Sequence, residues 1–125
     1  MKILVVDDSS VIRKIIKATI DTLQMETIEA QNGIEALEAL SIKHNEIDLV
    51  LLDWNMPEMS GYEVLVEIKN NPLYRDIPTM MVTTEGQKSN IVAAVKAGAA
   101  NYLTKPFTSE DLEIKIIECI GEISS

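Results

Sequence analysis

Five short, strand-forming runs recur along this chain, each followed by a stretch with helical periodicity. They are Ile3 to Val6, Glu26 to Ala30, Leu49 to Leu52, Pro78 to Val82 and Ala100 to Thr104. The third is continuously apolar, as a strand buried on both faces must be, and it runs straight into Asp53. Pro57 follows and cannot extend a central strand, so Asp53 belongs at a strand tip. Strands that alternate with helices through connections of a few residues predict a parallel sheet covered on both faces. No linker, repeat or low-complexity tract interrupts the pattern, so residues 1–125 read as one domain.

The helices carry their own start and stop signals. Ser9 and Ser10 offer an N-cap before Val11, Ile12, Ile15, Ile16, Ile20 and Leu23. Asn32-Gly33 opens a second helix through Ile34, Leu37 and Leu40, fading near Lys43-His44. Ser60 and Glu63 fit a capping box ahead of Val64, Leu65 and Ile68, and Asn70-Asn71-Pro72 stops that helix. Gln87 to Lys96 should close on Gly98 as a left-handed C-cap, and Thr108 should cap a last helix through Leu112, Ile116, Ile117 and Ile120.

Composition removes several classes of function. A net charge of −9 leaves no basic face for nucleic acid and favours a soluble monomer. No stretch approaches the roughly 18 apolar residues of a membrane span, and the apolar run at the N-terminus is too short for a signal peptide. The single cysteine, Cys119, permits no internal disulfide and suits a reducing cytoplasm. It sits on an amphipathic helix as a packing residue. His44, the lone histidine, falls where it complements a helix dipole.

The C-terminal ends of parallel strands lie along one edge, which is where such sheets bind ligands. The residues just past those ends are Asp7-Asp8, Asp53, Thr83-Thr84 and Lys105. Crowded carboxylates repel one another, and burial raises the pKa of at least one unless a cation lies among them. With oxygen ligands alone on offer, that cation should be hard: Mg²⁺, or Mn²⁺ in its place. A carboxylate beside a divalent cation, a hydroxyl and an ammonium also makes a phosphoryl-transfer site. There is no glycine-rich phosphate loop, so the phosphoryl group must come from another molecule.

These residues, with Asp53-Trp54-Asn55-Met56-Pro57 and Lys105-Pro106-Phe107, resemble the receiver domain of two-component response regulators, from Lys2 to about Ile120. Finer matches (Thr83 with Glu85, Asn90 to Ala94, Lys96 to Ala99) resemble the single-domain chemotaxis type. The resemblance implies a flavodoxin-like, doubly wound five-stranded sheet in the order 2-1-3-4-5 with five helices, an order the sequence itself does not supply. It implies Asp53 as phosphoacceptor, and Asp8, Asp53 and the backbone carbonyl of Asn55 as Mg²⁺ ligands, with Asp7 acting through water. Thr83, Lys105 and the Thr84 backbone would bind phosphoryl oxygens. Thr83 and Tyr102 would form the switch, and Asn55 and Glu85 would tune phosphate lifetime. Ile91, Tyr102 and Lys115 would lie on the partner face, and the Lys105–Pro106 bond would be cis.

The resemblance further implies a cytoplasmic signalling switch that catalyses its own phosphorylation and autodephosphorylation and is not otherwise an enzyme. A sensor histidine kinase would be the phosphodonor and the flagellar motor switch the target, with a phosphatase as a possible third partner. A phosphorelay intermediate or phosphate sink is the alternative within the family. Two outside rivals fit worse. Aspartyl phosphatases want a second acid two residues on, where Asn55 stands, and flavodoxins need a Thr/Ser/Gly-rich phosphate loop. Thr84 departs from the family, which usually has a small residue there, and its branched side chain should restrict access to the phosphoryl group.

Overall fold

The structure, a computed structural model, describes residues 1–124, with side chains described to residue 121. Five strands, β1 (Lys2–Val6), β2 (Glu26–Ala30), β3 (Ile47–Leu52), β4 (Thr79–Thr83) and β5 (Asn101–Thr104), form one parallel sheet in the order β2-β1-β3-β4-β5. Five helices complete it: α1 (Ser10–Thr22), α2 (Gly33–Lys43), α3 (Gly61–Asn70), α4 (Lys88–Ala97) and α5 (Ser109–Ser124). This is the doubly wound arrangement implied by the resemblance. No helix among the described residues is long and apolar enough to cross a membrane.

Side chains that alternate along each strand divide the core in two. Leu4, Val6, Val50, Leu52 and Met81 face α2, α3 and α4, where Leu40, Leu65, Ile68 and Ala94 meet them. Ile3, Val5, Leu49, Leu51, Met80 and Val82 face α1 and α5, against Ile16, Ile20, Leu112 and Ile116. Cys119 is buried in that second layer, the packing role expected of it. Strand β3 starts at Ile47, two residues earlier than its apolar run. Asp48 breaks the run, yet its carboxylate accepts the Lys2 backbone N–H at 2.9 Å, where the β1–β3 register shifts.

The caps follow the sequence closely. Ser9 Oγ accepts from Ile12 N at 3.3 Å, and Asn32 Oδ1 from Glu35 N at 2.8 Å. Ser60 and Glu63 form the reciprocal capping box. Gly98 closes α4 at φ 112°, a left-handed conformation that costs glycine little. Thr108 and Asp111 satisfy each other's backbone N–H groups at 3.2 and 3.0 Å.

The strand order reverses between β1 and β3, because the chain goes from β1 out to β2 and then crosses back. At that point Val6 pairs with Leu52, and the Asp53 N–H donates to the Val6 carbonyl at 3.0 Å. The chain leaving β3 then turns tightly, with Gly61 N donating to the Trp54 carbonyl at 2.8 Å. A Cβ on Gly61 would lie 1.8 Å from the Asp53 carbonyl oxygen. Gly61→Ala must therefore push the Asp53 backbone aside. It should cost about 2–4 kcal/mol of stability, read as a lower urea midpoint at unchanged slope.

Candidate functional site: a carboxylate cluster at the strand ends

Hydrogen bonds at the strand ends fix the approach of the functional side chains. Asp7 N donates to the Ala30 carbonyl at 3.1 Å, so Asp7 begins where β1 ends. Thr83 pairs with Thr104, and Lys105 N donates to the Thr83 carbonyl at 2.8 Å, so Lys105 leaves β5 beside Thr83. Ligand oxygens of Asp7, Asp8 and Asp53 can all lie within 4.8 Å of one another. Lys105 Nζ reaches into the cluster, 2.7 Å from Asp7 Oδ2 and 3.5 Å from Asp53 Oδ2. The Lys105–Pro106 peptide is cis, as the resemblance implies.

Burial separates the three carboxylates. Asp7 is 2% exposed and Asp53 6% exposed, whereas Asp8 faces solvent. Asp7 is well partnered: its other oxygen accepts from Ser9 N at 2.9 Å, and its carbonyl accepts from Arg13 at 2.7 Å. Asp53 is less well off. Burial pushes its pKa above the ordinary carboxylate value and the Asp7 charge adds to this, while Lys105, the Thr83 hydroxyl and the Trp54 backbone N–H oppose it. Three carboxylates facing one ammonium leave negative charge to be neutralised, and every donor is a hard oxygen. The cluster therefore suits a divalent cation.

Around this centre the structure brings together most of the expected residues. Thr83 is fully buried, its hydroxyl facing Asp53. Asn55 and Thr84 are exposed and meet at the mouth, where Asn55 Nδ2 donates to Thr84 Oγ1 at 3.3 Å. Glu85 does not turn its carboxylate to the cluster but pairs it with Asn90 at 3.1 Å. Tyr102 is half-buried against the α2–α3–α4 layer, and its hydroxyl donates to the Glu85 carbonyl. Ile91 and Lys115 hold part-exposed positions on α4 and α5. Trp54 stacks at a tilt on Tyr62, ring centres 5.4 Å apart.

Sequence reading missed three participants. Arg13 binds both the Asp7 carbonyl and, at 3.0 Å, Glu29. Its place on α1, within reach of the Asp7 loop, was the available signal. Asn90 stands in a stretch that resembles the chemotaxis type, but nothing in the sequence shows that it pairs with Glu85. An apolar cavity of about 430 Å³ beside Lys105, lined by Ile12, Ile15, Thr84, Pro106 and Phe107, could not be read from separated segments.

Residues 3–117 match the family model of the response regulator receiver domain. The chain belongs to that family. It is 44% identical to a chemotaxis protein CheY homolog of Campylobacter jejuni, over 97% of this chain and 93% of that protein. It is 43% identical to chemotaxis protein CheY1 of Helicobacter pylori, over 97% of this chain and 98% of the other. Among solved structures, a response regulator receiver domain protein from Clostridium thermocellum superposes with a TM-score of 0.90 at 36% identity, covering 98% and 96% of the two chains. Vibrio cholerae CheY4 gives 0.84 at 32% identity, covering 94% and 95%.

As a receiver domain, the chain must tolerate a carboxylate whose charge its own fold opposes. Because the folded-state pKa of Asp53 lies above the unfolded value, protonation favours folding. The penalty is absent below the unfolded pKa and fully present once pH has risen through the folded-state value. Asp53→Asn should thus be more stable than wild type at pH 7 without divalent cations, with the difference shrinking as pH falls towards 4. Urea denaturation in chelator-treated buffer measures it; equal stabilities at pH 7 would contradict the burial account.

Proposed function

We propose that this protein is a Mg²⁺-dependent aspartyl-phosphate switch in a two-component chemotaxis system. One observation carries the reading: Asp53 is buried at the strand edge, touching Lys105 and facing Thr83, with Asp7 and Asp8 beside it. The CheY names of the relatives support the chemotaxis setting. The protein acts in the cytoplasm by changing which partner it binds, and its catalysis is confined to its own phosphorylation and dephosphorylation.

Asp8, Asp53 and the Asn55 carbonyl would hold Mg²⁺, with Asp7 acting through water; bound there, the cation offsets charge on the carboxylates and on the phosphoryl oxygens. A carboxylate oxygen of Asp53 attacks the phosphorus of a phosphohistidine on a sensor kinase. The P–N bond breaks, and the imidazole keeps the electron pair and takes a proton. Lys105 donates from its ammonium to one phosphoryl oxygen, while the Thr83 hydroxyl and the Thr84 N–H donate to others. The modification adds about −1.5 to −2 charge next to Thr83. Tyr102 transmits the change to a face that includes Ile91 and Lys115. The flagellar motor switch would read that face, and a phosphatase could end the signal.

Trp54 adjoins Asp53 and is the only tryptophan, so it reports on the site directly. Mg²⁺ should change its fluorescence, and a small phosphodonor such as acetyl phosphate should change it further. Silence to both, or a donor response that survives in Asp53→Asn, would sink the switch. Saturating Mg²⁺ should also raise the melting temperature by about 10 °C, roughly what occupancy at 100 times Kd supplies. Recovery of only a histidine-containing phosphocarrier, and no motor component, on immobilised phosphoprotein would make the protein a phosphate sink.

The Thr84 side chain stands at the mouth with Asn55. Removing its hydroxyl and branch in Thr84→Ala should speed both loading and loss of phosphate, by about threefold or more. Stopped-flow Trp54 fluorescence follows both phases. Identical rates in the two proteins would show that Thr84 gates nothing.

A further inference from the structure

Three contacts converge on Glu85. Its backbone N–H donates to Thr83 Oγ1 at 3.3 Å, its carbonyl accepts the Tyr102 hydroxyl, and its carboxylate accepts from Asn90 Nδ2 at 3.1 Å. The first links it to the hydroxyl that faces Asp53, the second to the expected switch aromatic, the third to helix α4. Burial, then the charges of Glu85 and Asp53, push the Tyr102 phenol above its ordinary value, so it remains a donor.

The third contact stands out because α4 otherwise begins weakly. Its N-cap, Gln87, makes no side-chain capping bond, and the first turn hangs on Asn90 N and Ile91 N donating to the Gln87 carbonyl at 3.0 and 3.1 Å. An asparagine in a first turn ordinarily turns its side chain to nearby backbone groups. Here its amide reaches back five residues to a carboxylate, a charge-assisted bond stronger than a neutral one.

We infer that Asn90 is a positioning residue for Tyr102: by gripping the Glu85 carboxylate it fixes the carbonyl that receives the Tyr102 hydroxyl, and so holds the ring inward. Without the grip, Glu85 can turn its carboxylate to water and carry its carbonyl off the phenol. The Tyr102 hydroxyl then loses its hold on the Glu85 carbonyl, and the ring moves outward more often. The importance of this hold for signalling rests on the switch reading above, but the hold itself does not.

The protein labelled with 3-fluorotyrosine has three ¹⁹F resonances, from Tyr62, Tyr74 and Tyr102, and Tyr102→Phe assigns the last. All spectra are taken without phosphodonor. Asn90→Asp sets two carboxylates against each other, and the Tyr102 resonance should move towards its denatured position, with the inward-to-outward ratio falling about fivefold. Adding Glu85→Gln to Asn90→Asp restores the bond with its polarity reversed, and the resonance should return. Asn90→Ala should resemble Asn90→Asp but gain nothing from Glu85→Gln; it decides the matter if the Asp variant does not fold. An unmoved Tyr102 in the folded single variants, or a double variant that fails to recover, overturns the inference. A wild-type protein that ignores acetyl phosphate would instead remove the switch reading and leave this result standing.

Discussion

Two carboxylates, Asp7 and Asp53, are almost wholly withdrawn from water, and one ammonium makes that possible. Lys105 reaches both, across nearly the whole sequence, because β5 ends where it does. Burying an unpaired carboxylate is far more costly than burying a paired one, and breaking a buried pair commonly costs about 3–5 kcal/mol. The pairing is incomplete all the same. Asp7 has Lys105 and Ser9, while Asp53 shares that lysine at a longer distance and burial outweighs its help. A site built this way is poised for further positive charge and for a group that the same lysine can grip. Stability has been given up at the one place where binding can return it.

The sheet order is what turns that local chemistry into a site. Had β1 and β3 been separated, Asp7 and Asp53 could not both touch one lysine. Because the order reverses between them, their tips are neighbours and open onto the crevice beyond the sheet edge. The buried faces, by contrast, are indifferent to which residue ends each strand. Fold and site are thus specified by different residues, apolar alternation for the one and strand-end polar groups for the other.

This division explains what was legible in the sequence. Periodicity reports which face a side chain takes, so the strands, helices, caps and the edge carrying Asp7, Asp53, Thr83 and Lys105 could be read directly. The strand order could not, and came only through resemblance. The start of β3 was misplaced because Asp48 looks like a terminator until its bond to the Lys2 backbone is seen. Arg13 and Gly61 were opaque for a related reason. Each matters through one close approach to a distant backbone atom, the Asp7 carbonyl and the Asp53 carbonyl, and neither leaves a periodic trace.

The loop after β4 shows the same physics in reverse. Thr83 is the buried last residue of β4, and its hydroxyl faces Asp53 while accepting the Glu85 N–H. A hydroxyl can donate and accept at once, so a change in what it donates to need not break what it accepts from. On the proposed switch reading, a displacement of Thr83 would be passed to the Glu85 backbone, and from its carbonyl to Tyr102. Each link is a single hydrogen bond among the end of β4, the loop after it and β5, and the apolar layers below need not rearrange. On that reading, a core with so many fully buried side chains would remain rigid while one edge of its sheet answered to charge at Asp53.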